Sequence, residues 1–370
     1  MKSINFTKYY TNKVQKQALR FGYGSPEDYL KHLVKSHESA NTPKESSFKR
    51  TRLNRLKNIH KTTKGQILCG DSLDWLHHPR NKNTVDLLIT SPPFGLISKK
   101  SYGNESQEDY CTWFRQFAEG FVKVLKDDGS LVIDISGSWV KGYPVRSLYH
   151  FDVLQMLCKE YGFFLCQEHY WWNPGTLPSP ACWVTVERIR VKDAINCIWW
   201  LSKTPRPKAS NLNVLNPYSK QMESVLTKGI QTGNRPSGHQ VTEHFNKNNG
   251  GSIPPNLLAI ANTDSAGSYF EFCRRYDLPI HPARFPQSLP EYFIKFLTNK
   301  GDLVVDPFGG SSVTGYVAEK LNRKWRTIEM NYEYATGGIG RFQNKKPYKP
   351  FEKNYTIHSP CSIINKKSSD

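Results

Sequence analysis

The sequence lacks any spacing of cysteine and histidine that is typical of a structural zinc site. None of its eight cysteines forms a Cys-x-x-Cys pair. Several lie within apolar runs, so we predict buried, reduced thiols and no bound metal. No apolar stretch approaches the ~20 residues that a transmembrane helix needs, and the first residues lack the apolar core of a signal peptide. We therefore predict a cytoplasmic protein without a membrane segment.

Acidic residues are scarce relative to basic ones. The 370 residues include 51 Lys and Arg but only 32 Asp and Glu, which gives a formal net charge of +19. This excess favours a polyanionic partner, and nucleic acid is the first candidate. Residues 1–64 hold 15 of the basic residues and 4 of the acidic ones. The segment is either a solvated basic arm or a contact to a DNA backbone, and the sequence leaves both open.

From residue 66 onward, short apolar strands alternate with amphipathic helices. We predict strands at 66–69, 85–89, 130–135, 163–172, 194–201, 303–305 and 325–329, and helices at 110–125, 151–160, 289–297 and 313–321. This alternation predicts an α/β fold with a parallel sheet. Residues 202–280 interrupt it with a stretch rich in Asn, Gly, Pro and Ser, which we interpret as an insertion or a small lobe.

A five-residue motif follows the predicted strand at 85–89 and reads Thr90-Ser91-Pro92-Pro93-Phe94. Methylation of an aromatic amino group requires acceptors for the amino hydrogens, because the nitrogen lone pair is delocalised into the ring. The Ser91 hydroxyl and the Pro92 carbonyl are candidate acceptors, since two prolines fix the turn and remove local donors. Phe94 offers a face on which an extruded base can stack. The motif therefore suits chemistry on an exocyclic amino group.

A second motif follows the predicted strand at 303–305 and reads Asp306-Pro307-Phe308-Gly309-Gly310-Ser311. Gly309 and Gly310 allow a ligand to approach the backbone closely, and the helix that follows presents an N-terminus suited to a carboxylate. Glu329 ends the next predicted strand, where a carboxylate can bind both hydroxyls of a ribose. No G-x-G-x-x-G motif and no Walker lysine is present. The segment predicts a cofactor site after a strand.

Together, the two motifs resemble those of the β-class, circularly permuted DNA amino-methyltransferases. The first is similar to the S-P-P-[FY] motif of members specific for N4 of cytosine, whereas N6-adenine relatives usually carry Asp or Asn in place of Ser91. The second is similar to their D-P-F-x-G-S-G-T-T motif, except that Ser312 replaces the last glycine. The resemblance covers residues 65–340. It implies a seven-stranded, mostly parallel, doubly wound sheet and S-adenosyl-L-methionine as cofactor.

The resemblance also implies roles for individual residues. Asp71 is similar to the acid that contacts the adenine end of the cofactor, with a helix N-cap as the alternative. Segment 281–286, which includes Phe285, resembles the one that completes the methionine pocket, with a proline-rich helix entry as the alternative. The implied cofactor-binding residues are Asp71, Phe285, Asp306, Phe308, Gly309, Gly310, Ser311 and Glu329, and the implied catalytic residues are Ser91, Pro92, Pro93 and Phe94.

Further segments bear on the target. Residues 168–174 resemble the family segment that helps hold the flipped base, although Trp171 and Trp172 are more often core residues and His169 is expected to be structural. Residues 99–102 are either a phosphate contact or a solvated loop. The run 171–218 resembles the PvuII-type branch of the family. That branch implies a cytosine in CAGCTG as the target within duplex DNA, and a cognate restriction endonuclease acting separately.

We predict five segments along the chain. They are a basic arm at 1–64, a catalytic half at 65–201, a target-recognition region at 202–280, a cofactor-binding half at 281–341 and a basic tail at 342–370.

Other functions remain open at this stage. N6-adenine methylation uses the same machinery, and an RNA substrate or an inactive fold that only binds DNA are further alternatives. A C5-cytosine enzyme is disfavoured, because its nucleophilic cysteine follows a proline in a catalytic loop, and the only Pro-Cys pair is Pro360-Cys361 in the tail. The favoured hypothesis is an N4-cytosine DNA methyltransferase.

Overall fold

The structure is a computed structural model that describes residues 25–31, 56–95, 106–229, 247–262 and 267–343, with shorter stretches at 15, 232–234, 236 and 240–242. The chain divides into two compact units, residues 1–53 and 54–370. In the first unit, residues 26–31 are helical, and the Ser25 hydroxyl accepts a hydrogen bond from Asp28 N at 3.1 Å. Most of the predicted basic arm at 1–64 and all of residues 99–102 lie outside the described residues.

A mixed sheet of nine strands forms the centre of the second unit. The strands of the described residues are β1 Lys57–Lys61, β2 Gly65–Cys69, β3 Val85–Thr90, β4 Leu125–Ile135, β5 Phe164–Trp172, β6 Ile195–Ser202, β7 Gly233–Asn234, β8 Gln240–Val241, β9 Leu257–Ala259, β10 Leu303–Asp306 and β11 Lys324–Glu329. The sheet order is β1-β2-β11-β10-β3-β4-β6-β5-β9, while β7 and β8 pair separately. Strands β2, β11, β10, β3 and β4 are mutually parallel, β6 is antiparallel, and β5 and β9 again run parallel to β4.

Helices pack on both faces of this sheet, because successive apolar side chains of the central strands point to opposite faces. The helices are α1 Ser72–Leu76, α2 Tyr110–Val124, α3 Tyr149–Lys159, α4 Lys220–Lys228, α5 Ser268–Arg275, α6 Ser288–Leu297, α7 Val313–Lys320 and α8 Tyr332–Gly338. In β3, Leu88 packs with α1, α2 and α3 on one face, whereas Leu87 and Ile89 pack with α6 and α7 on the other. None of the helices in the described ranges is long and apolar enough to span a bilayer.

The crossovers on either side of β3 and β10 open a crevice. Helix α2 connects β3 to β4 on one face of the sheet, and α7 connects β10 to β11 on the opposite face. Because adjacent parallel strands β3 and β10 lead to helices on opposite faces, a crevice forms beyond their carboxyl ends. Ser91 and Pro307 follow directly after these two strands. This topology places both sequence motifs at the carboxyl edge of the sheet.

The predicted α/β class and mostly parallel sheet are confirmed, and the structure adds two strands, β1 and β9, to the seven predicted for the sheet. Strand β1 lies within the segment predicted as a basic arm and pairs antiparallel with β2. Strand β9 and helix α5 lie within 202–280 yet belong to the main body, since β9 pairs with β5. Strands β10 and β11 come last in the chain but lie between β2 and β3, as expected for a circular permutation, which we keep as an interpretation.

The prediction of buried cysteines is only partly correct. Of the seven cysteines in the described residues, all are free thiols, but only Cys273 is fully buried and Cys182 is exposed.

Candidate active site

The turn after β3 is held rigidly by two tyrosines. Tyr110 donates its hydroxyl hydrogen bond to the Pro93 carbonyl at 2.7 Å. Gly95 lies against the rings of Tyr110 and Tyr149, both of which a Cβ at that position would approach to 3.3 Å. Pro92 is buried, and its carbonyl accepts no hydrogen bond from any residue that the structure describes, so its role as the second acceptor stays a prediction. The turn therefore presents Ser91 and Pro92 in a fixed conformation.

An acidic side chain that the motifs did not indicate lies beside Ser91. Ser91 lies beside Asp134, near the carboxyl end of β4, and its hydroxyl favours the ionised form of that carboxyl group, while Asn196 Nδ2 donates to Asp134 Oδ1 at 3.1 Å. Asp134 is 5% exposed. Burial raises the pKa of Asp134 to about 7, although the hydrogen bonds from Asn196 and Ser91 oppose this shift. The site thus contains a carboxyl group that titrates near neutrality and contacts the predicted catalytic hydroxyl.

The glycine loop after β10 is shaped by close contacts to the neighbouring strand. Gly309 N donates to the Ile328 carbonyl at 2.8 Å, and a Cβ at Gly309 would come within 2.8 Å of the Thr327 side chain. Gly310 has φ +48°, where side chains are disfavoured, and lies against the His281 ring. Any larger residue would displace the loop, so the two glycines are required for this conformation.

Ser312, which departs from the family motif, adopts the conformation expected of the glycine it replaces. Its φ is +56° and ψ +35°, in the left-handed region. Such a conformation costs a non-glycine residue about 1–2 kcal/mol. The Ser312 hydroxyl shares a hydrogen bond with the Thr327 hydroxyl at 2.9 Å, which offsets part of this cost. Serine therefore occupies this position in the left-handed conformation that the family glycine would adopt easily.

Asp306 is buried and connects three segments through hydrogen bonds. It is 2% exposed. Its Oδ1 accepts hydrogen bonds from Thr90 Oγ1 at 2.8 Å and Phe308 N at 3.1 Å, and its Oδ2 accepts from Thr314 Oγ1 at 2.7 Å. Burial raises the pKa of Asp306 to about 6 despite these bonds. Asp306 therefore joins the residue before Ser91 to the helix after the glycine loop, and its predicted role in cofactor binding stays a prediction.

Glu329 ends β11 as predicted and stabilises the glycine loop. Its Oε2 accepts from Gly310 N at 2.9 Å, and its Oε1 accepts from Asn331 N at 2.9 Å. Burial is the main cause that raises its pKa. Each carboxylate oxygen has a second lone pair, so Glu329 retains acceptor capacity for ribose hydroxyls. Its role as a cofactor ligand stays a prediction.

Asp71 follows β2 and caps α1. Its side chain accepts a hydrogen bond from Leu73 N at 2.9 Å, which is the N-cap role weighed as the alternative. Since Asp71 is half-buried and β2 neighbours β11, the carboxylates of Asp71 and Glu329 follow adjacent parallel strands. The N-cap is established, and the contact to a cofactor stays a prediction.

The remaining predicted cofactor residues line the same edge. Phe308 is partly buried, with its ring centroid 4.8 Å from that of Phe117. Ser311 is buried, and its carbonyl and hydroxyl oxygens accept hydrogen bonds from Arg341. Phe285 is partly buried against the second core cluster. Of these, Phe285 and Phe308 retain some exposure, whereas Ser311 contributes mainly to the loop structure.

Comparison with known proteins identifies the family. A family profile described as DNA methylase matches residues 85–339, a span that contains both motifs. The chain belongs to the DNA methylase family. The type II methyltransferase M.PvuII of Proteus hauseri is 48% identical over 289 residues, covering 77% of this chain and 86% of that protein. M.Cfr9I of Citrobacter freundii is 38% identical over 310 residues, covering 75% and 87%.

A solved structure gives the same relationship. The PvuII DNA methyltransferase, described as cytosine-N4-specific, superposes with a TM-score of 0.64 at 43% identity, covering 79% of this chain and 91% of that one. The similarity therefore extends over the fold as well as over the two motifs.

Some candidate base-binding residues of this DNA methylase are buried in the core, and others are partly exposed at the carboxyl edge of the sheet. Trp171 is a core residue, 6% exposed, whose indole donates to the Ile260 carbonyl at 2.8 Å. Trp172 is 37% exposed at the end of β5. Phe94 is half-buried against the first core cluster. His169 is buried among Phe293 and neighbouring aromatic rings, and burial lowers its pKa to about 4, as expected for a structural histidine.

Proposed function

We propose that this DNA methylase transfers a methyl group from S-adenosyl-L-methionine to N4 of a cytosine flipped out of duplex DNA. The observation that carries the proposal is the position of the Ser91 hydroxyl beside the buried Asp134 carboxyl group, whose pKa burial raises to about 7, at the sheet edge that also carries the glycine loop. A hydroxyl that donates to a carboxylate keeps its lone pairs for a substrate amino group. This arrangement suits an amino acceptor better than a carbon acceptor.

The chain's own groups account for the proton movements. With Asp134 ionised, the Ser91 hydroxyl points its hydrogen at the carboxylate and its oxygen at one amino hydrogen of the base. The Pro92 carbonyl accepts the other amino hydrogen. Once the nitrogen bonds to the methyl group, it must lose a proton, which Ser91 accepts while passing its own proton to Asp134. A carboxyl group with a pKa near 7 is matched to this task at neutral pH.

The residues present fit S-adenosylmethionine. The carboxylates of Asp71 and Glu329 suit hydroxyl and amino hydrogens, and Phe308 and Phe285 offer apolar contacts beside them. When bound, the cofactor supplies an electrophilic methyl group and leaves as a neutral thioether. The loop at 307–312 holds its conformation through contacts within the chain, so the binding surface is preorganised, which lowers the cost of binding.

Further parts of the proposal rest on the relatives. M.PvuII is named as a type II methyltransferase, and we infer that this chain likewise acts in a restriction–modification system in the cytoplasm, alongside a separate endonuclease. CAGCTG is the proposed target. The assignment of residues 202–280 to target recognition stays a prediction.

Incubation of the full-length protein with duplex DNA and S-adenosylmethionine, followed by nucleoside mass spectrometry, tests the reaction. We expect N4-methylcytosine from the wild type and a loss of at least about 100-fold in Ser91→Ala, because one hydrogen-bond acceptor of the transition state is removed. N6-methyladenine would instead establish the adenine alternative. Methylated RNA or no product would contradict the proposal.

A further inference from the structure

Two loops leave the carboxyl edge of the sheet beside Ser91. Residues 136–148 follow β4, and residues 173–194 connect β5 to β6. Because β5 runs parallel to β4 and β6 runs antiparallel, both ends of the second loop lie at this edge. We name these two segments the edge loops.

Side-chain contacts join the edge loops into one surface. Asp193 accepts a hydrogen bond from Trp139 Nε1 at 2.8 Å and forms an ion pair with Arg146. Arg190 donates to the Pro144 carbonyl at 2.7 Å. The rings of Trp139 and Trp183 lie 5.2 Å apart. Contacts at several separate points hold the two segments in a fixed relation, so their exposed residues form a defined surface.

The composition of this surface matches a nucleic acid. The edge loops contain five basic residues and two acidic ones, and one of the acidic residues, Asp193, is already paired with Arg146. Lys141 and Arg188 are exposed, and neither forms a side-chain hydrogen bond or ion pair with the described parts of the chain. Val186 and Val191 are 75% and 86% exposed. Free cations beside exposed apolar side chains suit phosphates flanking base edges.

The larger part of the predicted recognition region 202–280, residues 203–256, leaves the sheet at the opposite edge. Residues 203–256 begin after the carboxyl end of antiparallel β6 and end where β9 begins, so both ends lie at the amino edge. Asn216 and Ser252 pair near the base of this segment, and Ser210 N donates to the Phe296 carbonyl at 2.8 Å. The segment is therefore anchored away from Ser91, whereas the edge loops begin next to it.

We propose that the edge loops bind the duplex that flanks the flipped base, with Lys141 and Arg188 on phosphates and Val186 and Val191 against the groove. The proposal rests on the proposed function, because it assumes that duplex DNA is the substrate. Each phosphate contact contributes about 0.9 to the slope of log Kobs against log salt. At 0.15 M salt, this corresponds to about a 5-fold loss of affinity for each charge removed.

Fluorescence anisotropy with a labelled CAGCTG duplex and the full-length protein tests the surface. We expect Lys141→Gln/Arg188→Gln to bind about 25-fold more weakly at 0.15 M salt, with the salt slope reduced by about 2. Val186→Ser/Val191→Ser should weaken binding without changing the slope, because no charge is removed. The matched control, Lys300→Gln/Lys324→Gln, removes two exposed charges at the amino edge. A further pair, Lys220→Gln/Lys228→Gln, removes two exposed charges from α4.

The results distinguish failure of the proposed DNA-binding surface from failure of the proposed methyl-transfer function. Normal binding by Lys141→Gln/Arg188→Gln, or an equal loss in the control pair, would overturn the proposal. A loss confined to the α4 pair would instead place the contact in residues 203–256. If the wild type binds the duplex at this surface yet transfers no methyl group to it, the proposed function fails while the binding surface stands.

Discussion

The Asp134 carboxyl group should make methyl transfer depend on pH. Only the ionised form accepts the Ser91 hydrogen and frees the hydroxyl oxygen for the base. With a pKa of about 7, about nine-tenths of the groups are ionised at pH 8 and about one-tenth at pH 6. Single-turnover rates at saturating substrates should therefore fall about 10-fold between these pH values. Asp134→Asn should react about 100-fold more slowly at pH 8 and lose this pH dependence.

The same shift predicts a gain in stability from the same substitution. A carboxyl pKa raised from 3.8 to about 7 means that folding favours the protonated form. The contribution of Asp134 to the free energy of unfolding is then fully present below pH 4 and is lost as pH rises through 7. The loss reaches about 4 kcal/mol at 1.36 kcal/mol per pH unit. Asp134→Asn removes the buried charge, so its free energy of unfolding at pH 8 should exceed that of the wild type.

Urea unfolding at pH 5 and pH 8, paired with single-turnover kinetics, checks both effects. The stability advantage of Asp134→Asn should be larger at pH 8 than at pH 5. The reasoning about Asp134 would be refuted by equal wild-type rates at pH 6 and pH 8, or by an asparagine variant that is less stable than the wild type at pH 8. Ser91→Ala serves as the control, because it removes the hydroxyl but keeps the carboxyl group.

Three further predictions concern the groups around the site. Thr90→Val should lower the free energy of unfolding by about 1.5–3 kcal/mol in urea titrations, since Asp306 loses a hydrogen bond to a charged group, and Thr90→Ser should restore it. Ser312→Gly should unfold at the same temperature as the wild type or higher, whereas Ser312→Ala should unfold lower, because alanine keeps the left-handed strain and loses the bond to Thr327. Burial lowers the pKa of His169 to about 4. The free energy of unfolding should therefore fall by up to about 3 kcal/mol as pH falls from 6.5 toward 4, because the buried imidazole resists protonation. Acid-induced unfolding of His169→Phe should shift to lower pH, and an unchanged acid transition would contradict this.

The sequence predicted those features that local pattern determines. The apolar runs that became β3 and β10 and the glycines of the 307–312 loop were identified because strand periodicity and backbone freedom leave a local signature. The side chains that contact these residues in the folded protein were not predicted. Asp134 is embedded in the apolar strand β4, and its acidic character there was the signal that could have indicated a functional carboxyl group. Its contact with Ser91 depends on which strands are neighbours, which no local pattern records.

The hydrogen-bond partners of Asp306 were not predicted for a related reason. Its position in a family motif favoured a cofactor contact, but the hydrogen bonds from Thr90 and Thr314 depend on burial and side-chain direction. Strand β1 was likewise assigned to a basic arm, because an edge strand at the surface keeps a polar composition and lacks the apolar signal of a central strand. Amino-acid composition predicts whether a segment is buried more reliably than whether it pairs as a strand in the sheet.

The pairing of β3 with β10 has a consequence for synthesis of the protein on the ribosome. The hydrogen bond between Thr90 and Asp306 joins residues that are 216 positions apart. At a translation rate of about 5–20 residues per second, β3 waits about 10–40 s for its partner strand. During this interval the edge of a mostly apolar strand, fully buried in the folded protein, lies open in the nascent chain, where it can pair with other chains. We expect the newly made protein to depend on chaperones that shield this edge until its C-terminal third has been translated.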